Sequence, residues 1–347
     1  MKTAGPFGIL IILLSFAACS TPLPVVSTTA VPSITPTNEI SATPADQSAV
    51  PQQKTFTLPP SSPTPTFTLT PLSPLPCSPE LCVYPGHFWL DRPIGLGKMD
   101  SIDPTYRYGS TQEGARPTHH GVEFVNEEGT PVLAAADGLV IVAGTDSQDT
   151  YADFPFYYGN LVVIQHDFSE YEQSIFTLYG HLSEVQAEVG ESVQAGDPIG
   201  LVGYTGAAEW SHLHFEVRVG QNRYRDTRNP ELWLRPHQKD QDISNGTAPN
   251  GAIAGRIVDE FNSPIYILNV VVERFGLDGQ EIIETIYVET YADFSVNGDD
   301  EWGENFVLGD LTPGKYRVTF VARGLQSWDL EVYPGHLTLL TFDAGKQ

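Results

Sequence analysis

The stretch SHLHFEVRVG, Ser211 to Gly220, alternates without a break. His212, His214, Glu216 and Arg218 fall on one parity, and Leu213, Phe215, Val217 and Val219 on the other. A period of two is that of a β-strand, whose successive side chains point to opposite faces. Other segments have the same texture: PVLAAADGLVIVAG, GNLVVIQHD and IFTLYGHLS are short, β-branched and bounded by Gly, Asp or Asn. VGESVQAGDPIGLVG continues the pattern, with turns at Gly-Glu and Gly-Asp. No helical period of useful length interrupts these strands, so an all-β fold is expected.

The chain divides by composition. Lys2 precedes the apolar run FGILIILLSFAAC, which is too short to span a bilayer and has the length of a signal-peptide core. Phe16-Ala17-Ala18-Cys19 resembles a bacterial lipobox, with Phe16 where leucine is usual. Residues 1–19 are therefore read as a lipoprotein signal peptide and Cys19 as the site of a lipid anchor; an ordinary signal peptide cleaved nearby is the alternative. Both readings export the chain to the cell envelope. Residues 20–82 form a Pro/Thr/Ser-rich linker with no apolar period, expected to stay disordered because it cannot bury enough surface to offset its ordering entropy. Residues 83–240 read as one β domain, and residues 249–345 as a second with roughly seven short strands, the pattern of a β-sandwich. The polar run PHQKDQDISNGTAPNG separates them.

Acidic residues outnumber basic ones 43 to 18, a formal charge of −25. Such a chain is repelled by nucleic acid and by anionic membrane surfaces, which argues against both as partners. With Cys19 set aside, Cys77 and Cys82 remain as an even pair in CSPELC. An exported protein favours a small disulfide loop there. A zinc site lacks a second pair or a nearby histidine cluster, and two free thiols are the remaining alternative.

The chemistry lies in the histidines. His119, His120, His166, His181, His212 and His214 fall within about a hundred residues. On an extended strand, His119 and Glu123 share a face while His120 opposes them, and His212 shares a face with His214. Gly121 and the β-branched Val122 argue against a helix at this point. Two histidines and one carboxylate make a catalytic zinc set with a fourth position for water, and zinc both acidifies water and polarises a carbonyl. Spare histidines nearby suit proton shuttling or oxyanion stabilisation.

HHGVEF, YGHLS and SHLHFEV, in this order, resemble the lysostaphin-type zinc endopeptidases that cut peptidoglycan cross-links. The pattern of that family is His-x-Gly-x-Asp, then Tyr-x-His-Leu, then His-x-His. The resemblance runs from about Tyr106 to Leu234 and includes GTPVLAAADGLVIVAG and a closing NPELWL. It implies a β-barrel or sheet peptidase domain, a Zn2+ cofactor and peptidoglycan peptides as substrate. His119, Glu123 and His214 match the metal ligands, and His181 and His212 match the two catalytic histidines. His120 and His166 are assigned no ligand role. The alternative is a degenerate module that binds wall peptides or regulates a cell-wall hydrolase. Two departures stand out: Glu123 replaces aspartate, lengthening the arm by about 1.5 Å, and GYTGAAEWSHLH carries Glu209 and Trp210 where the family has small residues. In the last segment GRIVDEFNSPI, LTPGKYRV and ARG resemble a carboxypeptidase-regulatory-like sandwich, with no clustered nucleophile or ligand.

Overall fold

The alternation in Ser211–Gly220 becomes β10 (His212–Val219), and every residue of that strand is buried. Leu213, Phe215, Val217 and Val219 join the largest apolar core, as expected of the apolar parity. The opposite, polar face is covered as well, so its charges must be met inside the protein. The computed structural model describes residues 75–170, 172–237 and 248–346. The signal peptide, Cys19 and the linker up to residue 74 lie outside the described residues. Among the described residues there is no α-helix, only strands and two short 3-10 turns, so the all-β expectation holds.

The two edges of β10 organise the peptidase-like half. β2 (Val122–Val125) and β11 (Thr227–Arg228) pair with successive parts of one side, and β6 (Gln173–Leu182) pairs with the other. β5 (Asn160–Glu170), β4 (Gly138–Thr145) and β8 (Ser192–Val193) complete this seven-stranded sheet. A three-stranded sheet of β3 (Pro131–Leu133), β9 (Pro198–Leu201) and β7 (Glu184–Val185) packs beside it.

The C-terminal half has two four-stranded sheets. One runs β14 (Ile282–Glu289), β13 (Asn269–Phe275), β16 (Gly314–Val321) and β17 (Leu325–Val332). The other runs β1 (Leu81–Tyr84), β18 (Leu337–Asp343), β12 (Gly251–Val258) and β15 (Phe306–Leu311). Ile253, Phe306 and Leu340 from one sheet share a core with Val272, Val318 and Val332 from the other. β1 spans the 82/83 boundary read from composition and belongs to the C-terminal sheet, with Leu81–Tyr84 opposite Leu337–Leu340. A disulfide joins Cys82, within this strand, to Cys77 just before it.

Both halves belong to one compact unit. The Tyr108 hydroxyl donates to the carbonyl of Thr227 at 3.0 Å and accepts from the amide of Asn297 at 3.0 Å, tying the C-terminal segment 290–299 to the first half. Thr118 donates to Asp293 at 2.8 Å in the same interface.

Candidate metal centre

His119 enters from a loop. It precedes β2, and the strand parity that groups it with Glu123 is not what brings the two together. The loop is held by backbone bonds: His119 donates its amide to Ser110, Gly109 donates to the His119 carbonyl, and Ala292 of the C-terminal half donates to Gly109. Gly121 lets the loop press against β10, since a Cβ there would lie 2.5 Å from the Phe215 carbonyl and 2.7 Å from His214 Nε2. Glu123 stands on β2 directly opposite His214 on β10. His181 is the penultimate residue of β6 and has a φ of 63°, a left-handed conformation that a non-glycine residue keeps only when its surroundings impose it. Its amide donates to Tyr158 at 2.8 Å.

These elements bring His119, Glu123 and His214 into one buried group whose ligand atoms lie within 4.8 Å of one another. His119 Nε2 is 3.2 Å from His214 Nδ1 and 4.0 Å from Glu123 Oε1. His212 Nε2 is 3.5 Å from the same carboxylate oxygen. The His181 ring lies with its centroid 4.8 Å from that of His212 and 5.6 Å from that of His214. Exposure is 1% for His119, 3% for Glu123, 5% for His181 and 2% for His212 and His214, so all five are cut off from bulk water.

Hydrogen bonding fixes which nitrogen of each ring faces inward. The other nitrogen meets an acceptor: His119 Nδ1 faces the Tyr106 carbonyl at 2.7 Å, His181 Nδ1 that of Thr205 at 2.8 Å, and His212 Nδ1 that of Trp210 at 2.9 Å. His214 Nε2 faces Glu216 Oε1 at 3.1 Å. Since a carbonyl or carboxylate can only accept, these nitrogens carry the hydrogens and the inward ones present lone pairs. Two lone pairs facing each other at 3.2 Å repel unless a cation lies between them. His212 Nε2 and Glu123 Oε2 are buried without a hydrogen-bond partner. The donor set therefore fits a divalent metal.

The electrostatics favour neutral, ligating imidazoles. Burial, and then His214, hold the His119 pKa well below its ordinary value. His181 is lowered in the same way by burial, then by His214 and His212. Burial brings His212 down to about 4. Glu123 is pushed up by burial, against the pull of His214 and Arg116.

Behind the site lies a network that motif reading passes over. Glu216 is fully buried and accepts from His214, Arg218 Nε at 2.7 Å and the Tyr158 hydroxyl. Burial opposes its ionisation, but Arg218 and then His214 outweigh it and bring its pKa down to about 2. The signal was in the sequence, since Glu216 and Arg218 share the parity of His214. Over the other side sits Arg116, against the rings of Trp210 at 4.4 Å and Tyr106 at 5.0 Å. It pairs with Glu209 and comes within 4.0 Å of Glu123 Oε1.

His120 points away, onto Tyr224 and Thr227. His166 lies on β5, bonded to the Asp137 carbonyl and Thr177. Neither joins the cluster.

A buried two-histidine, one-carboxylate centre flanked by two further histidines on an all-β sheet defines the class. Residues 117–226 match the model of peptidase family M23, and the chain carries an M23, LytM-type, peptidase domain. Over 119 residues it is 37% identical to the peptidoglycan DD-endopeptidase ShyA of Vibrio cholerae, covering 34% of this chain and 24% of that protein. Over 146 residues it is 35% identical to the murein hydrolase activator EnvC of Escherichia coli, covering 42% of this chain and 30% of that one. The match thus spans less than a third of these relatives' length. The catalytic domain of lysostaphin from Staphylococcus simulans is similar at 30% identity, covering 33% of this chain and 76% of that one, with a TM-score of 0.28.

Proposed function

We propose that the domain is a zinc-dependent endopeptidase hydrolysing peptide bonds in peptidoglycan stem or cross-bridge peptides in the cell envelope. The observation that carries this reading is the tautomer pattern, which turns lone pairs of four histidines inward beside a buried carboxylate. His119 Nε2, His214 Nδ1 and Glu123 would hold the metal. When bound, zinc polarises the scissile carbonyl and acidifies water.

The protein's own side chains supply the rest. His212 and His181, neutral at pH 7 with free Nε2 atoms, accept a proton as general bases. Once protonated, the same nitrogens donate to the developing oxyanion or the leaving amine. Glu216 holds His214 in its ligating tautomer, as a carboxylate behind a metal-bound histidine does. Arg116 and Trp210 border the approach and offer a charged and a flat apolar surface to the peptide.

A non-catalytic docking module is the second reading. It is supported by the Arg116–Glu209 pair and Trp210, which lie over the centre, and by similarity to a relative named as an activator. Zinc content and peptide release from cell wall by the wild type and by His181→Ala separate the two. Stoichiometric zinc with release by the wild type alone supports the enzyme. A chain that holds no zinc and releases nothing overturns it. Release gained only by Glu123→Asp assigns the defect to the longer side-chain arm.

A further inference from the structure

A second cluster lies away from the histidine centre, where three distant parts of the chain meet. His87 follows β1, Glu170 ends β5 and Asp299 sits in the C-terminal loop after residue 290. His87 Nε2 is 2.7 Å from Glu170 Oε1 and 3.2 Å from Asp299 Oδ2. The side chains are 7%, 4% and 0% exposed. All three of these atoms are buried, and none makes an aligned hydrogen bond. The three candidate ligand atoms lie within 4.8 Å of one another, close enough for one ion to reach all of them. A buried polar atom left unmatched costs about 1–3 kcal/mol, so poorly aligned contacts among buried groups favour a further partner that meets them all.

The surroundings orient the ligands. Asp299 Oδ1 accepts from the Glu301 amide at 2.9 Å, which leaves Oδ2 for the cluster. The His87 ring stacks on Trp302 with centroids 4.4 Å apart, lies 4.8 Å from Trp233, and meets the edge of Trp89 at 5.0 Å. This tryptophan wall excludes water and lowers the local dielectric, so net charge at the cluster is costly. Two carboxylates with a neutral imidazole carry −2, an imidazolium leaves −1, and a divalent cation brings the sum to zero.

We propose that His87, Glu170 and Asp299 form a second, structural site for a divalent transition-metal cation, one that clamps the entry segment, the long β5 strand and the C-terminal half together. One nitrogen and two carboxylate oxygens suit Zn2+. In a tetrahedral set, bonds of about 2.0–2.2 Å place ligand atoms roughly 3.3–3.6 Å apart. The 3.2 Å separation is close to this, and the 2.7 Å separation must open by roughly 0.6–0.9 Å. Without a metal, burial would lower the His87 pKa, but Asp299 and Glu170 outweigh it and bring it up to about 9, so a proton is the competitor for the site.

The test is titration of the metal-free full chain with Zn2+ alone, read by bound metal per chain and by melting midpoint. Two equivalents are expected in the wild type, one in Asp299→Asn, and one in the His119→Ala/His214→Ala chain, which isolates this cluster from the proposed catalytic centre. At zinc about 100-fold above Kd, occupancy here raises the melting midpoint of the double variant by roughly 5–10 °C. A folded double variant that binds no zinc overturns the proposal. If the double variant fails to fold, Asp299→Asn decides, and unchanged zinc stoichiometry in that variant overturns the site. A midpoint indifferent to zinc that falls as pH rises through about 9 assigns the cluster to an imidazolium clamp and also overturns it. Failure of the catalytic reading shows separately, as zinc lost from the histidine centre while Asp299→Asn still removes one equivalent.

Discussion

Tyr106 lies flat on His119, with ring centroids 4.0 Å apart and planes 2° from parallel, while its own carbonyl accepts from His119 Nδ1. One residue thus fixes both the ring plane and the tautomer of a candidate ligand. The carbonyl survives any substitution, so the stack can be tested alone. Tyr106→Ala is expected to weaken zinc binding at the histidine centre by roughly 10-fold, toward the lower end of what outer partners of metal ligands contribute. Tyr106→Phe keeps the stack, loses only the hydroxyl bond to Pro117, and should bind zinc as the wild type does. Competition with a chromogenic chelator measures both.

Glu216 is expected to affect metal binding and stability together. Glu216→Gln removes the charge that holds His214 and leaves Arg218 buried without its counter-ion. Zinc affinity should fall by roughly 10–100-fold, and stability by about 3–5 kcal/mol. Adding Arg218→Met removes the orphaned charge, so the double variant should recover much of the stability and none of the affinity. Urea unfolding and zinc titration of the single and double variants check this.

Acid should destabilise the metal-free chain. His119, His181 and His212 stay neutral when folded but take up protons near pH 6.5 when unfolded. The unfolded state therefore binds more protons, and stability falls as pH drops from about 6.5 toward about 4. Glu123 and Glu304 are raised by burial and act in the opposite direction, two carboxyls against five lowered imidazoles once His120 and His166 are included. His212 alone accounts for on the order of 2 kcal/mol between pH 7 and pH 5. Urea midpoints at the two pH values, compared with those of His212→Gln, test this; an equal loss in the variant would contradict it.

Arg116 gates access to the centre. Its guanidinium fills the space between Glu209, Trp210 and Tyr106. Arg116→Ala should speed zinc removal by a chelator several-fold with little change in melting midpoint, since partly exposed ion pairs contribute about 0–1 kcal/mol. Stopped-flow chelation of the zinc-loaded chain is the measurement.

Much of this was legible in the sequence because period-two patterns are local. The alternation in β10 predicts the strand, its apolar side and the shared face of His212, His214, Glu216 and Arg218, all of which the structure shows. Parity did less for His119. It groups that residue correctly with Glu123 while assuming a strand that begins only at Val122, and loop contacts with Tyr106, Gly109 and Ser110 do the placing. Those contacts lie within an irregular loop before β2, where periodicity carries no information. The same holds for His87, Glu170 and Asp299, which no spacing rule unites. The C-terminal contribution to the His119 loop, through Ala292 and Gly109, was likewise invisible.

β1 and β12 lie in one sheet, separated there only by β18. Topologically, the chain from Tyr84 to Gly251 is an excursion that leaves that sheet and returns to it, with the M23 domain strung along the way. From the residue 75 end the chain passes through the Cys77–Cys82 loop and the β1–β18 ladder before it reaches the histidines. The β1–β18 pairing thus stands between the residue 75 end and the peptidase domain.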